Sequence, residues 1–146
     1  MPKVVAINIS EKKGVIKNPM EEGFFVREHG LQGDAHAGNW HRQVSLLAEE
    51  SIDKIRSKGI TDLTPGKFAE NITTKGIILH ELPVGTRLKI GDTEMEVTQI
   101  GKECHHGCEI RKLTGDCVMP REGIFTRVLK EGIIKPGDDI EIISKD

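Results

Sequence analysis

Residues 87–90 and 94–100 are two alternating apolar runs on either side of Gly91-Asp92. A Gly-Asp connection this short predicts a tight antiparallel hairpin, with Leu88 and Ile90 on one strand and Met95 and Val97 on the other facing a common interior. The same period of two returns at the start of the chain, where Val5, Ile7 and Ile9 alternate with Ala6 and Asn8 and predict a half-buried strand. Further strands are expected over residues 24–29, 43–47 and 71–74. Pro136-Gly137-Asp138 marks a turn into a closing strand at residues 140–143. Residues 48–58 carry the clearest helical pattern, with Glu49 and Glu50 at the positive end of the dipole and Lys54, Arg56 and Lys58 at the negative end, ahead of a stop at Gly59. A short helical turn over residues 66–70 follows the cap-like Thr64-Pro65. Residues 123–129 fit a strand through Ile124, Thr126 and Val128 and a helix through Phe125, Val128 and Leu129, so local pattern leaves both open. Many short strands, few helices and no alternation of strand with helix predict a mainly β chain, closed or nearly closed into a barrel.

The chain has 146 residues, the size of one domain, and residues 1–146 are read as such without repeats or linkers. Its 21 basic and 23 acidic residues nearly cancel, so no bulk positive field exists to hold nucleic acid or an anionic membrane. Aromatic residues are 3% with no Tyr, which leaves few surfaces for stacking bases. No apolar run approaches the roughly 20 residues of a membrane helix. The opening residues lack the pattern of a signal peptide, and a soluble, cytoplasmic protein is the expectation.

The three cysteines are crowded between positions 104 and 117, which is a poor layout for disulfide staples and a better one for thiol or metal chemistry. Gly101-Lys102-Glu103-Cys104-His105-His106-Gly107-Cys108 follows the hairpin directly and gathers thiol and imidazole donors. Lys102 is placed to favour a thiolate. The alternative is that Cys104 and Cys108 are small buried apolar groups. A zinc site lacks a second cysteine pair and would have to recruit His36 or His41; an iron-sulfur cluster ranks below it for the same shortage. The loop Gly30-Leu31-Gln32-Gly33-Asp34-Ala35-His36-Ala37-Gly38-Asn39 is a candidate site wall, although its glycines match no dinucleotide fingerprint. Arg42, Lys67, Lys102, Arg111 and Arg121 are candidates to grip a phosphate or a pterin edge, against an ordinary role as solvated charges. Serine-hydrolase and nucleotide-hydrolase motifs are absent.

Gly30-Leu31-Gln32-Gly33-Asp34 and Phe68-Ala69-Glu70-Asn71-Ile72-Thr73-Thr74-Lys75-Gly76 resemble the front half of MOSC domains, the module first named from the end of molybdenum cofactor sulfurase. Val84-Gly85-Thr86-Arg87-Leu88, Ile90-Gly91-Asp92, the cysteine after Gly101-Lys102-Glu103, Arg121-Glu122-Gly123-Ile124-Phe125-Thr126-Arg127-Val128-Leu129 and Gly137-Asp138 continue the resemblance in order. It implies a β-barrel of the pyruvate-kinase barrel type and a strand at residues 123–129. It further implies a molybdenum cofactor (molybdopterin) held between the glycine loop and the cysteine segment, with Gly33, Asp34, His36, Asn71, Lys102 and Arg121 on the cofactor. Cys104 matches the family's reactive cysteine, as a molybdenum ligand or a persulfide carrier, with Cys108 and His105 as further metal ligands. The continuation His105-His106-Gly107-Cys108 and Cys117 depart from many relatives and leave room for a second thiol or an extra metal. No pyridoxal phosphate is expected in this chain alone, so a cysteine desulfurase or an electron-transfer protein is the expected partner, and exposed strand edges leave room for a homodimer. An enzyme of this kind would resemble the reductases of N-hydroxylated compounds; a non-enzyme would carry cofactor or sulfur, and the remaining alternative is a zinc-stabilised binding domain without turnover.

Overall fold

The computed structural model describes residues 2–11, 17–35, 37–57, 59, 66, 68, 70–101 and 122–145. Among these the architecture is mainly β. The strands are β1 (Lys3–Ile9), β2 (Asn18–Met20), β3 (Gly23–Val26), β4 (Gly30–Leu31), β5 (Val44–Ala48), β6 (Ile72–Lys75), β7 (Thr86–Ile90), β8 (Thr93–Ile100), β9 (Ile124–Lys130), β10 (Gly132–Ile134) and β11 (Ile140–Lys145). One helix, α1 (Glu49–Arg56), follows β5, and a 3₁₀ turn covers Leu79–Glu81. An eight-stranded sheet runs in the order β11-β7-β8-β9-β5-β6-β1-β2, and a three-stranded sheet in the order β10-β3-β4.

The hairpin β7/β8 forms as its alternation predicts. Ile90 pairs with Thr93 across Gly91-Asp92, and Leu88, Ile90, Met95 and Val97 are fully buried. Full burial of such a side chain is worth about 1.5–3 kcal/mol. Val44 and Leu46 of β5, Ile72 of β6 and Ile124 and Val128 of β9 share this core, and Phe25, Leu31 and Ile134 of the small sheet complete it. Residues 124–130 are strand rather than helix because tertiary pairing decides: β9 is hydrogen-bonded to β8 on one side and β5 on the other.

The sheet has an open order, whereas the sequence predicted a barrel closed or nearly closed. Its ends approach at a single antiparallel bridge, Lys3 with Asp139, supported by Val4 N–H donating to Asp138 C=O at 2.9 Å and Ile140 N–H to Pro2 C=O at 3.0 Å. Farther along β1, Ile7, Asn8 and Ile9 pair with β2. That short strand takes the edge β11 would need for full pairing.

Two details depart from simple alternation. A bulge between Val4 and Ala6 shifts the register of β1 on β6, so Val4 and Ile7 enter the core while Asn8 is buried on the opposite face. Helix α1 is shorter than expected and begins at Ala48 without a side-chain cap. Glu50 instead accepts the Gly76 N–H at 2.7 Å, and Ile52 and Ile55 are buried on the outer side of β5 and β6. The helix ends where Ser57 N–H bonds Asp53 C=O.

Candidate functional site

Alternation fixes what lies on the two faces of the central strands. Leu46, Ile72 and Ile124 point into the core, so the residues between them point outward. Ser45 is opposite Phe125, and Phe125 is opposite Gln99. Asn71 joins the row by donating its N–H to Ser45 C=O at 2.9 Å, and Asn8 by donating its N–H to Asn71 C=O at 2.7 Å. The result is a row of mainly polar side chains crossing from β1 to β8.

At the β1 end this row is sealed. The Asn71 side-chain carbonyl accepts from Ser45 N–H at 3.0 Å and from its hydroxyl at 3.2 Å, and its amide donates to Asn8 C=O at 3.3 Å. Asn8 Nδ2 donates to Glu70 C=O and to Thr73 Oγ1, each at 3.1 Å. Thr73 Oγ1 donates to Glu70 Oε2 at 2.6 Å. Glu70 is fully buried, and its other oxygen, Oε1, has no hydrogen-bond partner among the described residues. Burial pushes its pKa up, and the hydrogen bonds from Thr73 and nearby backbone N–H groups offset only part of that.

The glycine loop is pinned next to this seal. Lys17 Nζ lies 2.7 Å from Asp34 Oδ1, with both side chains at 0% exposure. Lys17 also donates to Ser10 Oγ at 3.0 Å, and Ser10 N–H donates to Asp34 Oδ1 at 3.1 Å. Asp34 and Asn71, both expected on the cofactor, therefore meet the same end of β1, with their polar atoms engaged inside the fold. Gly33, adjacent, is exposed with φ +87, a left-handed conformation that favours glycine.

At the β8 end the row opens. The segment 40–43 runs into β5 alongside Thr98, whose hydroxyl donates to His41 C=O. His41 Nε2 is 3.0 Å from Gln99 Oε1, and Gln99 Nε2 donates to Gly101 C=O at 2.7 Å. Gly101 N–H donates in turn to Gly123 C=O at 2.6 Å. The strands preceding and following residues 102–121 are thus adjacent, and Gln99 ties the His41 segment to the point where the cysteine-bearing stretch begins. The Arg42 guanidinium carbon is 4.9 Å from the Trp40 ring centre and 5.6 Å from that of Phe125. On the far side of Gly123, Glu122 accepts from Ser51 at 2.6 Å and from Lys54 at 2.8 Å. Burial raises the Glu122 pKa, but the hydrogen bonds from Lys54 and Ser51 together with the charges of Lys54 and His80 outweigh it and hold the group below its ordinary value.

His36, Lys102, Cys104, His105, Cys108 and Arg121 lie outside the described residues, as do Lys67, His106, Arg111 and Cys117. Sequence reasoning singled out His41 and Arg42 but missed Trp40, Thr98, Gln99 and Phe125 around them. It also missed Lys17, because a lone lysine between turn residues is ordinarily a surface charge. Glu70 carried a signal only as part of the Phe68-to-Gly76 motif.

The MOSC domain profile matches residues 33–141. The chain is 22% identical over 144 residues to the uncharacterized protein YflK of Bacillus subtilis, an alignment covering 90% of this chain and 64% of YflK. Among solved structures, the YuaD protein of Bacillus subtilis superposes with a TM-score of 0.75 at 21% identity, covering 97% of this chain and 96% of YuaD. YiiM of Geobacillus stearothermophilus gives a TM-score of 0.74 at 19% identity, covering 99% of this chain and 76% of that one. YiiM of Escherichia coli gives 0.70 at 18%, covering 100% and 71%. At these identities the structural likenesses establish the fold.

Proposed function

The chain belongs to the MOSC domain family, and we propose that it holds a molybdopterin-type cofactor beside Cys104, whose thiolate ligates molybdenum or carries a persulfide. The observation that carries this reading is the extent of the family match, since residues 33–141 include both the Gly33-Asp34 loop and Cys104. The open end of the polar row supports it, because the His41 segment and the start of the cysteine stretch at Gly101 are joined there through Gln99. A cofactor with a phosphate and a polar pterin edge needs hydrogen-bond donors, and Arg42 Nε is buried without a partner among the described residues. The group, when bound, supplies a redox-active metal.

The chain's own residues divide the work in this proposal. Asp34 and Asn71 hold the loop and the β5/β6 junction in place from inside, and Gly33, His36, Lys102 and Arg121 would be the residues that hold the cofactor. Cys104 would be the sulfur ligand, with Cys108 and His105 as second donors. In the persulfide branch, the Cys104 thiolate attacks the outer sulfur of a donor persulfide, and the donor leaves as a thiolate. A cysteine desulfurase would supply that donor; in the reductase branch an electron-transfer protein would supply electrons for reducing N-hydroxylated compounds. The bridge between Lys3 and Asp139 would be the seam of a pyruvate-kinase-type barrel, in a cytoplasmic protein.

The test compares wild type with Cys104→Ser and Cys108→Ser, each made in a host that synthesises the cofactor. Molybdenum per chain and the intact mass under non-reducing conditions are read together. Loss of molybdenum or of a sulfur adduct in Cys104→Ser alone supports the assignment; a Cys104→Ser protein that keeps both refutes it.

A further inference from the structure

Arg42 differs from Arg127 and Arg56 in what its guanidinium meets. Arg127 meets Glu96 at 2.8 Å and Arg56 meets Asp53 at 2.6 Å, whereas among the described residues no carboxylate pairs with Arg42. Its guanidinium is instead faced by the Trp40 and Phe125 rings, with the carbon 4.9 Å and 5.6 Å from their centres. Aromatic faces stabilise a cation without occupying its N–H donors. The Nε atom is nevertheless buried, and no described residue offers it an acceptor, so the guanidinium keeps hydrogen-bonding capacity that an oxygen brought against its edge would use. The surrounding chain is already fixed, by Thr98 on His41 C=O and by Gln99 between His41 and Gly101. The arginine is therefore held in position before anything binds.

We propose that Arg42 anchors an oxyanion, the phosphate or carboxylate group of a ligand, beside the point where β8 leads into the cysteine-bearing stretch. A guanidinium presents parallel N–H donors matched to two oxygens of such a group, and the flanking rings hold its plane. The proposal deepens the reading of the same site and rests on it for location only. It does not depend on molybdenum being the metal.

The chain contains one tryptophan, Trp40, so intrinsic fluorescence reports directly on this arginine. Full-length protein is titrated with sodium phosphate and, separately, with sodium acetate, at ionic strength held constant with sodium chloride. Line broadening of the phosphate ³¹P resonance provides a readout independent of the ring. Wild type should give a saturable response, weakened at least tenfold in Arg42→Gln and partly retained in Arg42→Lys, with circular dichroism confirming that both variants fold. Saturation by phosphate identifies a phosphate ester as the source, and equal saturation by acetate identifies a carboxylate. No saturable response to either anion, or an unchanged one in Arg42→Gln, overturns the proposal. Molybdenum content measured on the same preparations keeps the two readings separable: a phosphate response without molybdenum supports Arg42 and counts against the cofactor, and molybdenum without an anion response does the reverse.

Discussion

Replacing Asp34 with Asn or Ala should be among the most damaging single changes in this chain. Lys17 Nζ lies 2.7 Å from Asp34 Oδ1 and both side chains are at 0% exposure, so water cannot compensate for a lost partner. Removing one member of a pair in such surroundings strands the other charge, at a cost of about 3–5 kcal/mol. That is a large share of the roughly 5–15 kcal/mol that holds a domain together, and corresponds to a fall in Tm of roughly 10 °C or more. Asp34→Asn isolates the charge, since the amide oxygen can still accept the Ser10 N–H that Asp34 Oδ1 accepts at 3.1 Å. Urea unfolding of wild type, Asp34→Asn, Lys17→Met and the double variant measures the coupling. The double variant should cost less than the sum of the single ones by about 2–3 kcal/mol. Burial also makes the effect insensitive to ionic strength, so the cost should persist in about 1 M salt. An Asp34→Asn cost below about 1 kcal/mol, or one that disappears with salt, would refute the reasoning.

Glu70 should make the protein less stable with rising pH: its carboxyl is held above 4.5 in the fold, so above that pH the unfolded chain binds fewer protons and is favoured until the folded group also ionises. Glu70→Gln should flatten this limb in Tm measurements from about pH 4 to 9, and parallel curves for the two proteins would exclude the assignment. Glu122 has the opposite sign. Its folded value is lowered, so its contribution is present above its ordinary value of 4.5 and is lost as pH falls through the folded one; Glu122→Gln should remove that part of the acid limb, an effect within roughly 1 kcal/mol because Lys54 is exposed. Gly66→Ala should cost at least ~2 kcal/mol, as the residue has φ +94 and an added Cβ would clash with the Lys17 backbone C=O. Gly59→Ala, with φ +101 and no atom of the described residues close to the added Cβ, should cost only the ~1–2 kcal/mol of the backbone conformation; equal costs at the two positions would remove the contact argument.

Features legible in the sequence are those whose cause is local. The β7/β8 hairpin is written in alternation and a turn, and α1 in the charges of Glu49, Glu50, Lys54 and Arg56. Residues 123–129 carried both periodicities, so local pattern left them open; the family resemblance implied a strand, and pairing with β5 and β8 is its physical cause. Distant partners account for the rest. The short strands β2 and β10 have little pattern of their own, and the bulge in β1 breaks the alternation that predicted it, so burial of Asn8 was hidden. Lys17 is buried because Asp34 is there to meet it. The donor-rich glycine loop and Cys104 were visible as residue types, and the Arg42 position as one candidate cation among several. The stacking on Trp40 and Phe125 that distinguishes it depends on β5 lying beside β9.

In the function proposed above, this chain holds a molybdenum-bearing cofactor. Elemental mass spectrometry for molybdenum, zinc and iron, on protein purified from a host that makes the cofactor, tests it most directly. Near-stoichiometric molybdenum per chain is the expected result. Zinc or iron alone, without molybdenum, would contradict it and make Cys104 a ligand in a structural metal site.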